Sequence, residues 1–167
     1  DQCVLLEDHA HAPPRAPQIV FELGVPVLGI CYGMQFMMSA LGGTVKRAAR
    51  REYGFAELRI KRQSGVFKGL PKKMQCWMSH GDSITKLPAG FKVTGFTDNT
   101  PIAAAVDLKR KFYGLQFHPE VDDTVHGNEM IANFVLDICG CEPSWWKPWI
   151  LNRPVKPSSP STRNCRR

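Results

Sequence analysis

The sequence predicts an α/β domain built on an open, mostly parallel central sheet flanked by helices. Three observations carry that prediction. The run Val25-Pro26-Val27-Leu28-Gly29-Ile30 puts apolar residues on both parities, as a strand covered on both faces does. Immediately after Cys31 the pattern changes from strand to helix, because Tyr32 to Leu41 is rich in helix formers and closes on Gly42-Gly43. Beyond Thr44 the chain breaks into short alternating stretches between Gly, Pro and Asp/Asn turns.

Taken in order, Ala16 to Leu23 reads as a short helix stopped by Gly24, followed by the buried strand and the helix just described. Glu57 to Lys61, Gln75 to Ser79, Lys92 to Thr97, Ile102 to Val106 and Lys111 to Phe117 read as strands, and Glu129 to Ile138 as an amphipathic helix. No internal repeat is present. In a sheet of this kind ligands gather at the carboxyl ends of the strands.

Composition bounds the answer further. A chain of 167 residues, 43% hydrophobic and 22% charged, is one globular domain. No stretch approaches the length of an apolar membrane span, and residues 1–20 carry acids, histidines and prolines where a secretory signal needs a basic start and an apolar run. The six cysteines, at positions 3, 31, 76, 139, 141 and 165, are too scattered for a disulfide scaffold and contain no C-x-x-C pair. Cys139-Gly140-Cys141 reads as structural, so no metal site is expected. These features imply a reducing, cytoplasmic setting and no membrane. The net charge of +7 is concentrated at the end: residues 142–167 hold six Lys/Arg against one acid, which leaves +2 for the body. With five prolines in that segment and no aromatic-interleaved motif, residues 146–167 read as a basic Pro/Ser-rich tail after a 1–145 domain, and no nucleic acid is expected.

The chemistry-bearing residues fall in two short stretches. Gly29-Ile30-Cys31-Tyr32-Gly33 has the G-x-nucleophile-x-G spacing of a strained strand-to-helix turn that lifts one side chain clear of the backbone. Gly29 and Gly33 are expected to lack side chains because strand and helix approach closely there. The helix N-terminus favours a thiolate at Cys31 and offers backbone N–H groups to an oxyanion. Gln116-Phe117-His118-Pro119-Glu120 ends a predicted strand, and in extended chain His118 and Glu120 share a side, so the carboxylate can orient the imidazole. His9, His11 and His126 read as structural.

Together Gly29 to Gln35 and Phe117 to Glu120 resemble the class I, triad-type glutamine amidotransferases. Gly42-Gly43-x-Val45, Arg51-Glu52-Tyr53-Gly54, Trp77-Met78-Ser79-His80-Gly81-Asp82 and Phe134 to Cys141 narrow the resemblance to the amidotransferase domains of GMP synthetases, from about Ala16 to Trp145. The resemblance implies a three-layer, flavodoxin-like fold, with Cys31 as nucleophile, His118 as base and Glu120 as its orienter. It implies L-glutamine as substrate, with Tyr32, Gln35, Ser79, His80 and Asp82 in contact with it, the last three from a polar turn. Hydrolysis would release ammonia, without a cofactor, to an ATP pyrophosphatase domain or subunit that uses ATP and Mg²⁺ to aminate XMP to GMP.

In the family, opening strands and a Gly-Gly-Pro loop precede the equivalent of Val4 to Pro17, and that loop supplies one oxyanion donor beside the Tyr32 N–H. The domain is therefore expected to be incomplete at its amino end, and the Ser-Gly-Gly-x-x-Asp-Ser phosphate loop of the pyrophosphatase domain is not in this chain. Three other readings stay open: a glutaminase subunit for anthranilate or carbamoyl phosphate synthesis, a non-catalytic module that keeps the pocket, and a Cys-His peptidase of related fold.

Overall fold

The structure is a computed structural model that describes residues 16–142. The expectations for Cys3, His9, His11, Cys165, the amino-terminal strands and the basic tail lie outside the described residues. A 3₁₀ turn at Gln18–Phe21 stands where a short helix is expected, with none of its residues buried. It leads into β1 (Val27–Ile30), the elbow at Cys31 and α1 (Tyr32–Ala40). The strands β2 (Thr44–Ile60), β3 (Lys73–Lys86), β4 (Lys92–Phe96), β5 (Ala104–Asp107) and β6 (Phe112–Leu115) follow. α2 (Gly127–Ala132) closes the described chain and runs straight into a π-type stretch, Asn133–Ile138, where one longer helix is expected.

The six strands form one sheet in the order β1-β6-β5-β4-β2-β3. The α/β class stands, but the pairing differs from the expected mostly parallel sheet. Among the described residues only β1 and β6 pair in parallel, and every other pairing is antiparallel. The parallel pair holds the elbow, because Cys31 leaves β1 where Ile30 faces Leu115 at the end of β6.

Alternation along the strands assigns two faces. Leu28, Ala104, Val106, Tyr113 and Leu115 turn to one side, where Phe67, Met130, Phe134 and Ile138 cover them. Val27, Ala105 and Phe112 turn to the other, against Met34, Met37 and Met38 of α1. α1 sits close because β6 has a glycine beneath it: a Cβ on Gly114 would lie 2.6 Å from Met34 Cγ. The result is helix, sheet and helix in three layers.

β2 and β3 are longer than the sequence signals. The expected strands Glu57 to Lys61 and Gln75 to Ser79 overlap one part of an antiparallel pair that extends over 17 and 14 residues. The pairing jumps from Glu52↔His80 to Arg47↔Asp82, so residues 48–51 bulge from β2 opposite Gly81. Ser79 to Asp82 is accordingly extended strand, not the expected turn. Glycine is a turn signal only until cross-strand pairing outweighs it; here Gly54, at φ +91°, also stays within a strand.

Candidate active site

Cys31 joins β1 to α1 with φ +49° and ψ −110°, a backbone shape that costs a non-glycine residue about 1–3 kcal/mol. Its N–H donates to the Leu115 carbonyl at 2.7 Å, which pins the turn to the end of β6. Gly29 is required beneath it, since a Cβ there would come within 2.8 Å of both the Gly33 carbonyl oxygen and the Met34 nitrogen. Gly33 is different. A Cβ added at Gly33 meets nothing within 4 Å, so close approach explains only one of the two glycines. Cys31 is 4% exposed, and its Sγ lies 3.7 Å from the Ser79 carbonyl oxygen and 3.9 Å from Nε2 of Gln116. α1 begins at Tyr32, so the first backbone N–H groups of the helix stand beside the thiol with their partial positive charge.

His118 follows β6 by three residues, at the same end of the sheet as Cys31. Its Nδ1 is 2.7 Å from Oε1 of Glu120, which leaves Nε2 as the second face of the ring. The segment carrying this pair is fastened along β3. The His118 N–H donates to the Trp77 carbonyl at 3.1 Å, and the Val125 N–H to the Gln75 carbonyl at 3.1 Å. Between them the Thr124 hydroxyl donates to the His118 carbonyl at 2.6 Å and accepts from the Trp77 N–H at 3.0 Å. One strand therefore touches both halves of the pair: β3 meets the histidine segment at Trp77 and the thiol at Ser79.

The remaining sequence-derived residues divide across β3. Ser79 faces one side; His80 and Asp82, of opposite parity to Ser79, are buried on the other. His80 is 0% exposed. Its Nδ1–H donates to the Asp82 carbonyl at 2.9 Å, and its Nε2 lies 3.3 Å from the Thr100 hydroxyl and 3.7 Å from Oε2 of Glu52. Glu52 also accepts from Thr97 at 2.9 Å and from Thr100 at 2.5 Å. Burial pushes the Glu52 carboxyl up, but hydrogen bonds from His80, Thr100 and Thr97 and the His80 charge outweigh it and hold the group below its ordinary range. Gln35, one turn into α1, is buried and donates from Nε2 to the Asp82 carbonyl and to Oε1 of Gln116, both at 3.1 Å.

The structure therefore brings Cys31, Tyr32, Ser79, Gln35, His118 and Glu120 to one end of the sheet, and sets His80 and the Asp82 side chain behind it. Sequence reasoning does not single out Gln116, Thr124, Thr97, Thr100 or Glu52 as site residues. Gln116 stands in the same motif as His118, two positions earlier, and the burial of so polar a side chain is the signal that could have marked it. The threonines carry no signal of their own; only the fold brings them within reach. His126 pairs with Glu129 at 3.0 Å on the surface, away from these contacts. Among the described residues no group of three or more His, Cys, Asp or Glu could hold a metal ion, and no helix is long and apolar enough to cross a membrane.

A three-layer α/β sheet with a cysteine on a strand-to-helix elbow, and a histidine–carboxylate pair just past the same end of the neighbouring parallel strand, defines a protein of the nucleophile-elbow class. Residues 7–138 match the family described as glutamine amidotransferase class-I. The chain belongs to the class I glutamine amidotransferase family. It is 53% identical over 150 residues to a GMP synthase (glutamine-hydrolysing) of Azoarcus sp. strain BH72, covering 85% of this chain and 29% of that protein. It is 50% identical over 142 residues to the protein of the same description from Vibrio vulnificus strain CMCP6, covering 85% and 28%. A solved structure described as a candidate GMP synthase subunit from Thermoplasma acidophilum matches with a TM-score of 0.70 and 31% identity, over 72% of this chain and 60% of that one. The chain thus spans less than a third of the length of these curated relatives.

Proposed function

We propose that this chain is the glutamine-hydrolysing part of a GMP synthase, releasing ammonia from L-glutamine for a synthetase part that aminates XMP to GMP with ATP and Mg²⁺. The observation that carries the reading is Cys31 held at φ +49° on the elbow, at the sheet end where His118 is paired with Glu120. The Cys31 thiolate attacks the side-chain amide carbon, and the backbone N–H of Tyr32 donates to the oxygen as it becomes negative. Glu120 holds Nδ1 of His118, so Nε2 delivers the proton that the departing ammonia needs. Water, with His118 now as base, then cleaves the glutamyl thioester and frees glutamate. Ser79 takes the substrate-facing position, while Gln35, whose amide hydrogens are engaged by the Asp82 carbonyl and Gln116, braces the site from behind Cys31. His80 and Asp82 support them from behind β3, because the side chains of both are buried there.

The identities to two glutamine-hydrolysing GMP synthases favour XMP amination over anthranilate or carbamoyl phosphate synthesis as the destination of the ammonia. The test has two parts. An electrophilic glutamine analogue is expected to add one equivalent of covalent mass to the chain and none to Cys31→Ala. Mixing the chain with a synthetase part, XMP, ATP, Mg²⁺ and glutamine is expected to give GMP. Labelling that survives Cys31→Ala would overturn the assignment of the nucleophile, and ammonia accepted only by a different synthase would overturn the pathway.

A further inference from the structure

The carbonyl oxygen of Asp82 fixes the direction of two buried amides behind Cys31. A carbonyl only accepts, so the Gln35 atom 3.1 Å from it is the amide nitrogen. The second hydrogen of that nitrogen points to Gln116 at 3.1 Å, where the partner must be an oxygen. Gln116 is then turned so that its own NH₂ group faces Cys31 Sγ at 3.9 Å. Rotation of either amide by half a turn would set two NH₂ groups or two carbonyls against each other. Gln116 is fully buried, and its backbone N–H is committed to the Ala103 carbonyl at 2.8 Å, so its backbone is fixed as well.

We propose that Gln116 is a positioning residue for the hydrolysis described above: its NH₂ group holds Cys31 Sγ and favours the thiolate, while its oxygen holds the Gln35 amide. A donor aimed at sulfur stabilises S⁻ over S–H, and the effect is strengthened because both side chains are buried. The kinetic consequence rests on the glutaminase reading. The effect on the thiol does not.

Two substitutions separate the two contacts. Gln116→Glu keeps an oxygen for Gln35 but replaces the donor facing sulfur by an acceptor. Gln116→Met removes both contacts at similar volume. Alkylation of the full chain by iodoacetamide, followed at Cys31 by peptide mass spectrometry between pH 6 and 9, reads the thiolate directly. Gln116→Glu is expected to slow Cys31 labelling at pH 7 about tenfold and move its profile to higher pH, and Gln116→Met to do so by about threefold. Cys76 in the same sample reports whether the core stays closed, and if Gln116→Glu opens it, Gln116→Met carries the test. A Cys31 profile unchanged in a variant whose Cys76 remains protected would overturn the proposal. In turnover, Gln116→Glu is expected to lower kcat about tenfold with KM for glutamine within about twofold, whereas Gln116→Met raises KM as well. Should the parent chain hydrolyse no glutamine, the glutaminase reading fails, while the alkylation profiles still decide the role of Gln116.

Discussion

Cys31 and Cys76 are buried to nearly the same degree, 4% and 0% exposed, yet the fold gives them opposite surroundings. Cys76 sits in the middle of β3 among Leu58, Met74 and Met78. Burial, and then the negative charge of Glu52, push its thiol up to about 12. Cys31 stands on a strained elbow at a helix N-terminus, with an amide NH₂ and a backbone carbonyl as its neighbours. Burial alone therefore says little about the reactivity of a thiol; the polarity of what buries it decides. The same contrast separates the elbow, where the backbone departs from ordinary geometry at a single residue, from the β2–β3 pair, where a long bulged ladder carries a polar cluster inside.

The sharpest test of the contrast is selective alkylation. With its thiol held at about 12, Cys76 has a thiolate fraction on the order of 10⁻⁴ at pH 8, so iodoacetamide should label Cys31 far ahead of it. Comparable labelling of the two in the folded chain would break the comparison. Next in size is the carboxylate behind His118. Glu120→Gln should lower glutamine turnover by about 10²-fold, because the imidazole loses its orienting charge. The surface pair His126–Glu129 has nearly the same geometry, at 3.0 Å, and Glu129→Gln should leave turnover within about twofold. Equal losses in both would mean that a histidine–carboxylate contact matters wherever it lies.

Smaller effects fall on stability. Glu52→Gln removes a buried carboxylate that accepts from Thr97 and Thr100 and faces His80, and should cost about 1–3 kcal/mol in urea unfolding at pH 7. Because Glu52 is held below its ordinary range, its contribution is present above the unfolded-state pKa and lost as pH falls through the folded value. The gap between parent and variant should accordingly shrink toward acid; a gap that widened toward acid would contradict an ionised Glu52. The last pair of effects lies in the elbow, and its second member is the smallest of all. Gly29→Ala should destabilise by about 1–3 kcal/mol, since its Cβ meets two backbone atoms at 2.8 Å. Gly33→Ala meets nothing within 4 Å and should stay within about 0.5 kcal/mol.

Much of the site is legible in the chain because it is local. Gly29 to Gly33 encode the elbow through one obligatory glycine and a change of hydrophobic period, and His118 and Glu120 are two residues apart, so pairing needs only extended backbone. The Ser79 to Asp82 block is legible as polar but not as strand. Gly81 suggests a turn, while the ladder with β2 continues past it through a bulge. Which of its side chains are buried behind the strand depends on strand parity, and parity is fixed only once the strand is known to be unbroken. The two glutamines, Gln35 and Gln116, show the same limit: each is visible as a polar residue in a motif, but their contact spans 81 positions.

The sequence by itself determined the α/β class, the elbow with its cysteine, the histidine–carboxylate pair and the family resemblance, because each rests on spacing within a few residues. Tertiary structure alone decided that the described sheet is mixed, that β3 links the histidine segment to the thiol, and that His80 faces Thr100 and a Glu52 carboxylate held by Thr97 and Thr100. It also decided that Gln116 turns its NH₂ group toward Cys31. The physical reason is the same in each case. Periodicity and turn chemistry are properties of neighbouring residues, whereas strand partners and buried hydrogen bonds are chosen among residues dozens of positions apart, by which arrangement leaves the fewest polar groups unsatisfied.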